Sequence, residues 1–362
     1  MDKTKIVEAL ASVKDPVSGQ DLISMNRVRD LKVEGSNISF TLEFPSMNIP
    51  SKSELNFACI AAVQGVYPNS EVNVHFMAHN PSAAPATNAT PQVKNIIAVA
   101  SGKGGVGKST VAVNLALGLQ QRGARVGLID ADLYGPSIPT MLGLQGKRPA
   151  VKEVYGKHKL VPLDAFGMPV ISIGFIVEPQ QAVVLRGPRL AGIIKQFFQD
   201  CLWPDLDFIV VDLPPGTGDI QLTLVQTVPV TGAVLVTTPQ QVAIDDAIKA
   251  ANMFQLASVN VPILGVVENM SWFTPEELPD NKYFLFGEGG GKTLAKEFKT
   301  ALLGQLPIVQ GVRESGDAGS PVILKQGNPA AKPYSDMVAN VLQQLQLRHQ
   351  TLDPTKVVDV KL

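Results

Sequence analysis

Thiols are scarce in this sequence of 362 residues, which contains two cysteines, Cys59 and Cys201. They do not form a Cys-x-x-Cys pair, so a disulfide framework and a zinc site built from one chain's thiolates are both excluded. The histidines also lack the spacing of metal ligands. His75 and His79 are four residues apart, but His75 lies in a strand-like run, where that spacing gives no shared helical face.

Long apolar runs and a strong net charge are missing as well. No apolar stretch is long enough to span a bilayer, and the first ten residues lack the basic start and apolar middle of a signal peptide. The formal net charge of -1 gives no reason to expect non-specific binding to nucleic acid or to anionic membranes. We therefore expect a cytoplasmic protein that binds neither. Its length suggests two domains or three.

Four segments differ in their residue pattern. Residues 1–78 mix helical and strand-like stretches and predict a small α+β domain. Residues 79–92, HNPSAAPATNATPQ, have no apolar periodicity and predict an extended linker. Residues 93–350 alternate short apolar runs with helical stretches, which predicts a mostly parallel sheet covered by helices on both faces. Residues 351–362 form a tail.

A phosphate-binding loop is predicted at residues 102–109, GKGGVGKS, which fit G-x-x-x-x-G-K-[ST] between the strand 96–100 and a helix. Its glycines let backbone N–H groups turn toward phosphate oxygens, and the helix N-terminus adds its positive dipole end. Lys108 is expected to reach the terminal phosphates of ATP, and the Ser109 hydroxyl to ligate Mg²⁺. The expected ATP-binding residues are Gly102, Lys103, Gly104, Gly105, Val106, Gly107, Lys108, Ser109 and Thr110.

Acidic side chains follow two of the predicted strands. Asp130 and Asp132 come directly after the strand 126–129, and Asp212 ends the apolar run 208–211, which has the shape of a Walker B strand. The carboxyl ends of parallel strands face the ligand crevice of an open sheet. We expect these carboxylates to lie near Mg²⁺, with Asp212 as an outer partner of the ion.

Two further features fit the same crevice. The turn Pro214 to Asp219, PPGTGD, is flexible enough to change shape next to a γ-phosphate. Asn269 follows the strand 263–267, and its amide can pair with the adenine edge through one donor and one acceptor. Taken alone, Asn269 is more often a turn residue.

The string KGGVGKS resembles the deviant Walker A ATPases, a group that includes the septum-site and chromosome-partitioning ATPases and the nitrogenase iron protein. In that group the additional lysine, here Lys103, crosses a dimer interface and contacts the other subunit's nucleotide. The resemblance implies a homodimer that holds two ATP molecules, with Lys103 and Lys108 acting in catalysis. It also assigns Asp132 to the attacking water and Asp130 to the metal shell. Without the family, Lys103 is a solvated loop charge.

Longer strings resemble the Mrp/ApbC family of iron–sulfur cluster carrier ATPases. The resemblance covers residue 93 to the closing helix, and the N-terminal unit resembles the MIP18-like domain often fused ahead of it. It implies a P-loop NTPase fold in a cytosolic homodimer that binds a [4Fe–4S] cluster, passes it to apoproteins and hydrolyses ATP slowly. The strings are DADLYGPS at 130–137, LRGP at 185–188, DLPPGTGD at 212–219, TTPQ at 237–240 and ENMS at 268–271.

The sequence departs from this family where cluster ligands are expected. The family commonly carries Cys-Pro-x-Cys after ENMS, and the matching stretch here is Thr274-Pro275-Glu276-Glu277. The MIP18-like domain usually carries Cys-Pro after its second strand, where this chain has Met47-Asn48-Ile49-Pro50. Iron–sulfur clusters are held mainly by thiolates. Cys201 precedes a strand at the wrong edge of the sheet and Cys59 lies in a predicted helix, so both are interpreted as structural, although a dimer can bring two copies together.

Three functions are therefore compared. The whole-family resemblance favours a cluster carrier. The missing cysteines favour a nucleotide-switched scaffold or adaptor, whose ATP-dependent closure controls partner binding through residues 1–78. A membrane-positioned ATPase like the septum-site protein has little support, because Pro354 interrupts the C-terminal tail and acidic residues balance its basic ones.

Overall fold

The computed structural model describes residues 3–14, 21–23, 27–44, 52–78, 92–132, 135–154, 156–176, 187–275, 277–278, 280–325 and 327–357. The chain divides into two compact units, Met1–Thr87 and Asn88–Leu362. Each unit has its own sheet and its own apolar core. The predicted linker, residues 79–92, lies outside the described residues except for Gln92.

The first unit is a three-stranded sheet packed with two helices. β2 lies between β1, which is antiparallel to it, and β3, which is parallel to it. Alternate residues Ile38, Phe40 and Leu42 of the central strand are buried, as the two-residue period of a strand requires. The elements are α1 (Lys3–Leu10), β1 (Val28–Glu34), β2 (Asn37–Phe44), α2 (Lys52–Val66) and β3 (Glu71–Ala78).

The second unit is built on an eight-stranded sheet of order β13-β12-β11-β4-β10-β5-β9-β8, in which β8 is antiparallel to β9 and the other neighbours are parallel. β6 and β7 form a separate antiparallel hairpin. The strands are β4 (Val93–Ala100), β5 (Val126–Asp130), β6 (Ala150–Val154), β7 (Lys157–Val161), β8 (Leu163–Ala165), β9 (Met168–Ser172), β10 (Leu206–Asp212), β11 (Gly232–Thr237), β12 (Ile263–Glu268) and β13 (Ala301–Gln305). The helices are α3 (Lys108–Gln121), α4 (Ile138–Met141), α5 (Gly187–Gln199), α6 (Asp219–Thr227), α7 (Gln241–Gln255), α8 (Gly290–Glu297), α9 (Gln310–Asp317) and α10 (Lys332–Thr351).

Helices cover both faces of this sheet, and each face has its own core. Ile96 and Ala98 of β4 pack into the core that contains α5, α6 and α7, whereas Ile97 and Val99 pack into the core that contains α3 and α10. Successive side chains of a strand point to opposite faces, so a central strand buried on both sides must be apolar throughout. The predicted α/β architecture, with a small α+β unit ahead of it, is confirmed.

Sequence patterns overlooked the edge elements. β13 lies at one edge of the sheet, where only Leu303 of its five residues is fully buried, so it lacks the continuous apolar run that marks the central strands. β6, in the separate hairpin, also lacks such a run, because four of its five residues are exposed.

α10 ends in a buried arginine. Arg348 is 6% exposed, and its guanidinium donates from Nε to the Thr231 carbonyl at 3.2 Å and from Nη2 to the Asp353 carbonyl at 2.6 Å. Nη2 also donates to Thr355 Oγ1 at 2.7 Å, so the beginning of the tail is fastened to the last turn of the helix. Neither α10 nor any other helix in the described part of the chain is long and apolar enough to cross a membrane.

Candidate nucleotide site

The predicted phosphate loop connects the central strand β4 to α3. α3 begins at Lys108, and the Val111 amide donates to the Gly107 carbonyl at 3.1 Å. Gly107 has φ +83°, and a Cβ atom there would lie 2.1 Å from the Asn269 amide nitrogen. A Cβ on Gly102 would lie 2.0 Å from the backbone of Asp246. The loop is therefore packed too tightly for side chains at these two positions.

Parallel strand register brings the predicted acids to the same place. Asp212 at the end of β10 is aligned with Asp130 at the end of β5, and β10 also adjoins β4. Lys108 Nζ donates to Asp212 Oδ1 at 2.6 Å and lies 3.3 Å from Asp132 Oδ2. Lys108 is 6% exposed and Asp212 is inaccessible to solvent. A buried lysine is thus held between two carboxylates at the base of the loop.

Burial and charge compete in this cluster. Burial by itself lowers the pKa of Lys108, but the neighbouring carboxylates outweigh it, and the pKa stands above its usual value. Burial raises the pKa of Asp130, and the negative charge of Asp212 raises it further. Burial also raises the pKa of Asp212, against the opposing attraction of Lys108. The cluster therefore favours a bound cation, which would relieve the carboxylates of this cost.

Two carboxylate oxygens in the cluster are left over. Asp132 Oδ1 and Asp212 Oδ2 are buried and have no hydrogen-bond partner among the described residues. Buried polar atoms are normally paired, so these two mark a place for a ligand. In the part of the chain that the structure describes, no three His, Cys, Asp or Glu side chains converge on one metal position. That fits Mg²⁺, which is commonly held by one or two carboxylates together with substrate phosphates and water.

Ser172 is a site residue that sequence patterns missed. Its hydroxyl donates to Asp130 Oδ2 at 2.8 Å, and the Gly174 amide donates to the same hydroxyl at 2.9 Å. Asp130 Oδ1 accepts from the Asp132 amide at 3.1 Å, so both oxygens of Asp130 are occupied. Asp130 orients its surroundings, whereas Asp132 and Asp212 keep oxygens to offer. The available signal was position, because Ser172 ends a buried strand beside Asp130.

A cavity of about 370 Å³ opens above this cluster. The glycines and hydroxyls of the loop line it, together with Asp132 and with Pro215 from the turn after β10. Lys103 lies at its rim and is exposed, while its carbonyl accepts from Ser101 Oγ at 3.0 Å. Lys108, Ser109, Thr110 and Asp132 are therefore brought together around one cavity, and the Lys103 side chain remains accessible from outside.

A second cavity of about 610 Å³ adjoins the first, and both are lined by Gly107 and Thr110. Its walls are mostly apolar and include Pro307, Tyr334 and Asn269. Asn269 Nδ2 donates to the Val106 carbonyl at 2.8 Å, so this residue buttresses the phosphate loop with part of its amide. An apolar cavity next to a phosphate cavity suits a nucleotide base, and the expected contact of Asn269 with adenine stays a prediction.

Neither cysteine is among the described residues that line these cavities, and each lies in apolar surroundings. Cys59 belongs to the core of the first unit. Cys201 is buried in the second unit, where its backbone forms an isolated parallel β-bridge with Leu160. Burial raises the pKa of each thiol to about 12. Of the stretch in place of the family cysteines, Thr274 is half-buried and Glu277 is exposed. The described residues therefore provide no thiolate for a cluster.

Some sequence expectations fall outside the described residues. These are residues 47–50, residues 133 and 134, residues 185 and 186, and Glu276.

Comparison with known proteins decides the family. The model of the family described as NUBPL iron-transfer P-loop NTPase matches residues 92–342. The chain belongs to this family. A second model, described as iron-sulfur cluster assembly protein, matches residues 3–76. The relationship inferred from sequence motifs is thus confirmed for both units.

Close relatives share nearly the whole length. A protein of Synechocystis sp. is 46% identical over 328 residues, which are 90% of this chain and 92% of the relative. A protein of Escherichia coli K12 is 41% identical over 340 residues, covering 93% and 89% of the two chains. Both are named iron-sulfur cluster carrier protein.

Solved structures agree on the fold of the NTPase unit. A nucleotide-binding protein from Archaeoglobus fulgidus in complex with ADP is 35% identical, with a TM-score of 0.57 and coverage of 67% of this chain and 91% of the other. The septum site-determining protein MinD of Pyrococcus horikoshii, complexed with Mg-ADP, has a TM-score of 0.51 at 20% identity, over 71% and 99% of the two chains. The second likeness concerns the fold alone.

Proposed function

We propose that this protein is an ATP-hydrolysing iron–sulfur cluster carrier that delivers its cargo to apoproteins in the cytoplasm. For the ATPase, the observation that carries the proposal is the buried Lys108, held between two carboxylates beneath a cavity lined by a glycine-rich loop. For the carrier role, support comes from relatives of that name that are 41–46% identical along most of the chain.

The chain's own residues divide the work of hydrolysis. Lys108 neutralises the terminal phosphates, and the loop amides from Gly102 to Thr110 hold the phosphate chain. Asp132 orients and activates the attacking water through the oxygen that has no partner in the described residues. Ser109 and Asp212 would hold Mg²⁺, with Asp130 behind them. When bound, Mg²⁺ neutralises charge on the phosphates.

The active form proposed is a homodimer with two ATP molecules at its interface. Lys103 is exposed at the rim of the phosphate cavity, where a residue that reaches into a second subunit must lie. A test is sedimentation of the protein with Mg²⁺ and a non-hydrolysable ATP analogue. We expect dimers with the analogue and monomers with ADP, and a Lys103→Ala variant should dimerise less.

The cargo raises a separate question, because neither thiol can serve as it lies in the described structure. The proposal predicts that protein reconstituted anaerobically with iron and sulfide acquires a cluster in a dimer. Iron and sulfide analysis, together with the visible absorption of the reconstituted protein, measures cluster uptake. If the protein hydrolyses ATP but takes up no iron or sulfide, the proposed carrier role is refuted and the ATPase function stands.

A second candidate is a nucleotide-switched scaffold that handles apoproteins without holding the cluster. The burial of both thiols and the replacement of the family cysteines by Thr274-Pro275-Glu276-Glu277 favour it. A pull-down with iron-free protein distinguishes the two functions. Binding of an apoprotein client that changes with ATP and requires residues 1–78 supports the scaffold, and binding that needs iron supports the carrier.

A further inference from the structure

Gln221 is a buried side chain to which no role has been assigned so far. It lies in the first turn of α6 and is 1% exposed. Its Nε2 donates to the Pro214 carbonyl at 2.9 Å and to the Gly216 carbonyl at 3.0 Å. Two carbonyl oxygens face one end of the amide, so that end must be the nitrogen, which has two N–H groups to give.

The segment that Gln221 holds is the turn between β10 and α6, residues 213–218. On its other side the turn is fastened to the end of β4 and to the residue that precedes the phosphate loop. The Leu213 amide donates to the Val99 carbonyl at 3.1 Å, and the Gly216 amide donates to the Ser101 carbonyl at 2.8 Å. Between these anchors Pro215 lines the phosphate cavity. The turn thus lies between the start of the phosphate loop and Gln221.

The glycines of this turn give its backbone conformational freedom. Gly216 has φ +94°, and Gly218, which precedes α6, has no side chain with which to cap the helix. Gln221 Oε1 is itself buried without a hydrogen-bond partner among the described residues. An acceptor left unpaired destabilises a fold. The two hydrogen bonds that Nε2 donates to the turn are therefore the stabilising contribution that offsets the unpaired Oε1.

We propose that Gln221 is a positioning residue for ATP hydrolysis. Its amide clamps the turn 213–218 against Ser101, at the start of the phosphate loop, and so fixes Pro215 and the backbone of Gly216 beside the terminal phosphate. Gln221 itself is not among the described residues that line the phosphate cavity. This role rests on the proposed ATPase function, and it predicts an effect on turnover larger than the effect on nucleotide affinity.

The test compares Gln221→Met with Thr227→Val. Methionine keeps the length of glutamine and removes both N–H groups. Thr227 lies on the same helix, is also buried, and its hydroxyl bonds only to the Thr223 carbonyl among the described contacts, at 2.7 Å. For each variant we measure steady-state ATP hydrolysis and affinity for a fluorescent ATP analogue with Mg²⁺. We also measure the melting temperature and hydrogen exchange in a peptide covering residues 213–218.

For Gln221→Met we expect kcat to fall by about 10- to 100-fold while KM and analogue affinity change by less than about threefold, since displacement of a positioned group chiefly slows the reaction. The Gly216 amide should exchange faster in this variant and not in Thr227→Val. If the Gln221→Met protein does not fold, Gln221→Asn replaces it, because the asparagine amide is one methylene too short to reach both carbonyls.

Three results overturn the proposal. The first is wild-type turnover and exchange in the Gln221 variant. The second is a loss of turnover with an equal loss of nucleotide affinity. The third is an equal loss of turnover in Thr227→Val at a similar drop in melting temperature, since a merely structural residue behaves in that way. Wild-type protein that hydrolyses no ATP refutes the proposed function, and the exchange measurement then still reports whether Gln221 holds the turn.

Discussion

The phosphate cavity and the segment after β12 differ in what they retain of the family's chemistry. Around the cavity, the loop, lysine and carboxylates that the motifs predict are present and in contact. After β12, Asn269 is in place, but Thr274 and Glu277 stand where thiolates are expected. In the family pattern, phosphate binding and cluster binding therefore depend on separate residues, although both sets follow the carboxyl ends of strands in the same sheet. The phosphate-binding residues can be kept when the cluster ligands change.

The buried carboxylate of Asp212 and the buried thiols of Cys59 and Cys201 show why the two regions differ chemically. Asp212 is fully buried, yet it has a cation as a direct partner and an oxygen left over for a ligand. Cys59 and Cys201 are buried in apolar cores, and burial disfavours their thiolates more than the charge of Lys159 favours that of Cys201. Burial with a charged partner prepares a site for chemistry, whereas burial among apolar side chains makes the same kind of group inert.

The largest expected effect is at Lys108. Lys108→Ala removes the only ammonium that the described structure places between Asp132 and Asp212, so phosphate would meet two unneutralised carboxylates. We expect no binding of ATP at up to about 100 times the wild-type Kd, equivalent to roughly 3 kcal/mol. Fluorescence titration with a labelled nucleotide measures it. Lys249→Ala, an exposed lysine paired with Asp246, is the matched control. Near-normal binding by Lys108→Ala would remove the distinction between the two regions.

The thiols should be almost unreactive in the folded protein. Their pKa is raised to about 12 from 9.0, and only the thiolate reacts with a disulfide reagent. At pH 8 we expect modification about 1,000-fold slower than in denatured protein, from the difference in thiolate fraction. The folded state holds these protons more tightly, so this stability term is intact below pH 9 and is lost as pH rises toward 12. Fast labelling of native protein would reopen both cysteines as cluster ligands.

Asp132→Asn should separate binding from hydrolysis. The amide keeps the shape of the side chain and loses the basic oxygen, so turnover should fall about 100-fold. Nucleotide affinity should change by less than about threefold, because Lys108 still has Asp212 as its closer partner, at 2.6 Å. Parallel loss of affinity and turnover would contradict the role given to Asp132.

The smallest effect is expected at Ser172. Ser172→Ala deletes the hydroxyl that joins Asp130 Oδ2 to the Gly174 amide, leaving a buried acceptor and a half-buried donor without this partner. We expect about 1–3 kcal/mol lower stability and a several-fold lower kcat. Ser172→Thr, which retains a hydroxyl, should recover part of both. Urea unfolding and steady-state kinetics measure the pair. Full activity in Ser172→Ala would show that Asp130 needs no such support.

Motifs predicted the centre of this molecule better than its margins. β4, β5 and β10 were recognisable because strands buried on both faces must be apolar throughout, and the acids at their ends followed from parallel register. β13 escaped notice because an edge strand is partly solvated.

Side-chain hydrogen bonds were also beyond the reach of the motifs. Ser172 and Gln221 contact their partners only after the strands and turns are assembled. Ser172 is 42 residues from Asp130 in the chain, and no local spacing announces that contact.

Arg348 bears on how this protein is shortened or extended. Cutting the chain after Thr351 would remove the Asp353 carbonyl and the Thr355 hydroxyl that receive its Nη2 protons. The guanidinium would remain enclosed near Thr231 with fewer acceptors. Thr231 lies at the amino end of β11, whereas the phosphate loop follows the carboxyl end of β4. An affinity tag joined beyond residue 357 leaves these bonds intact, whereas a tag that replaces the last dozen residues would weaken the packing of α10.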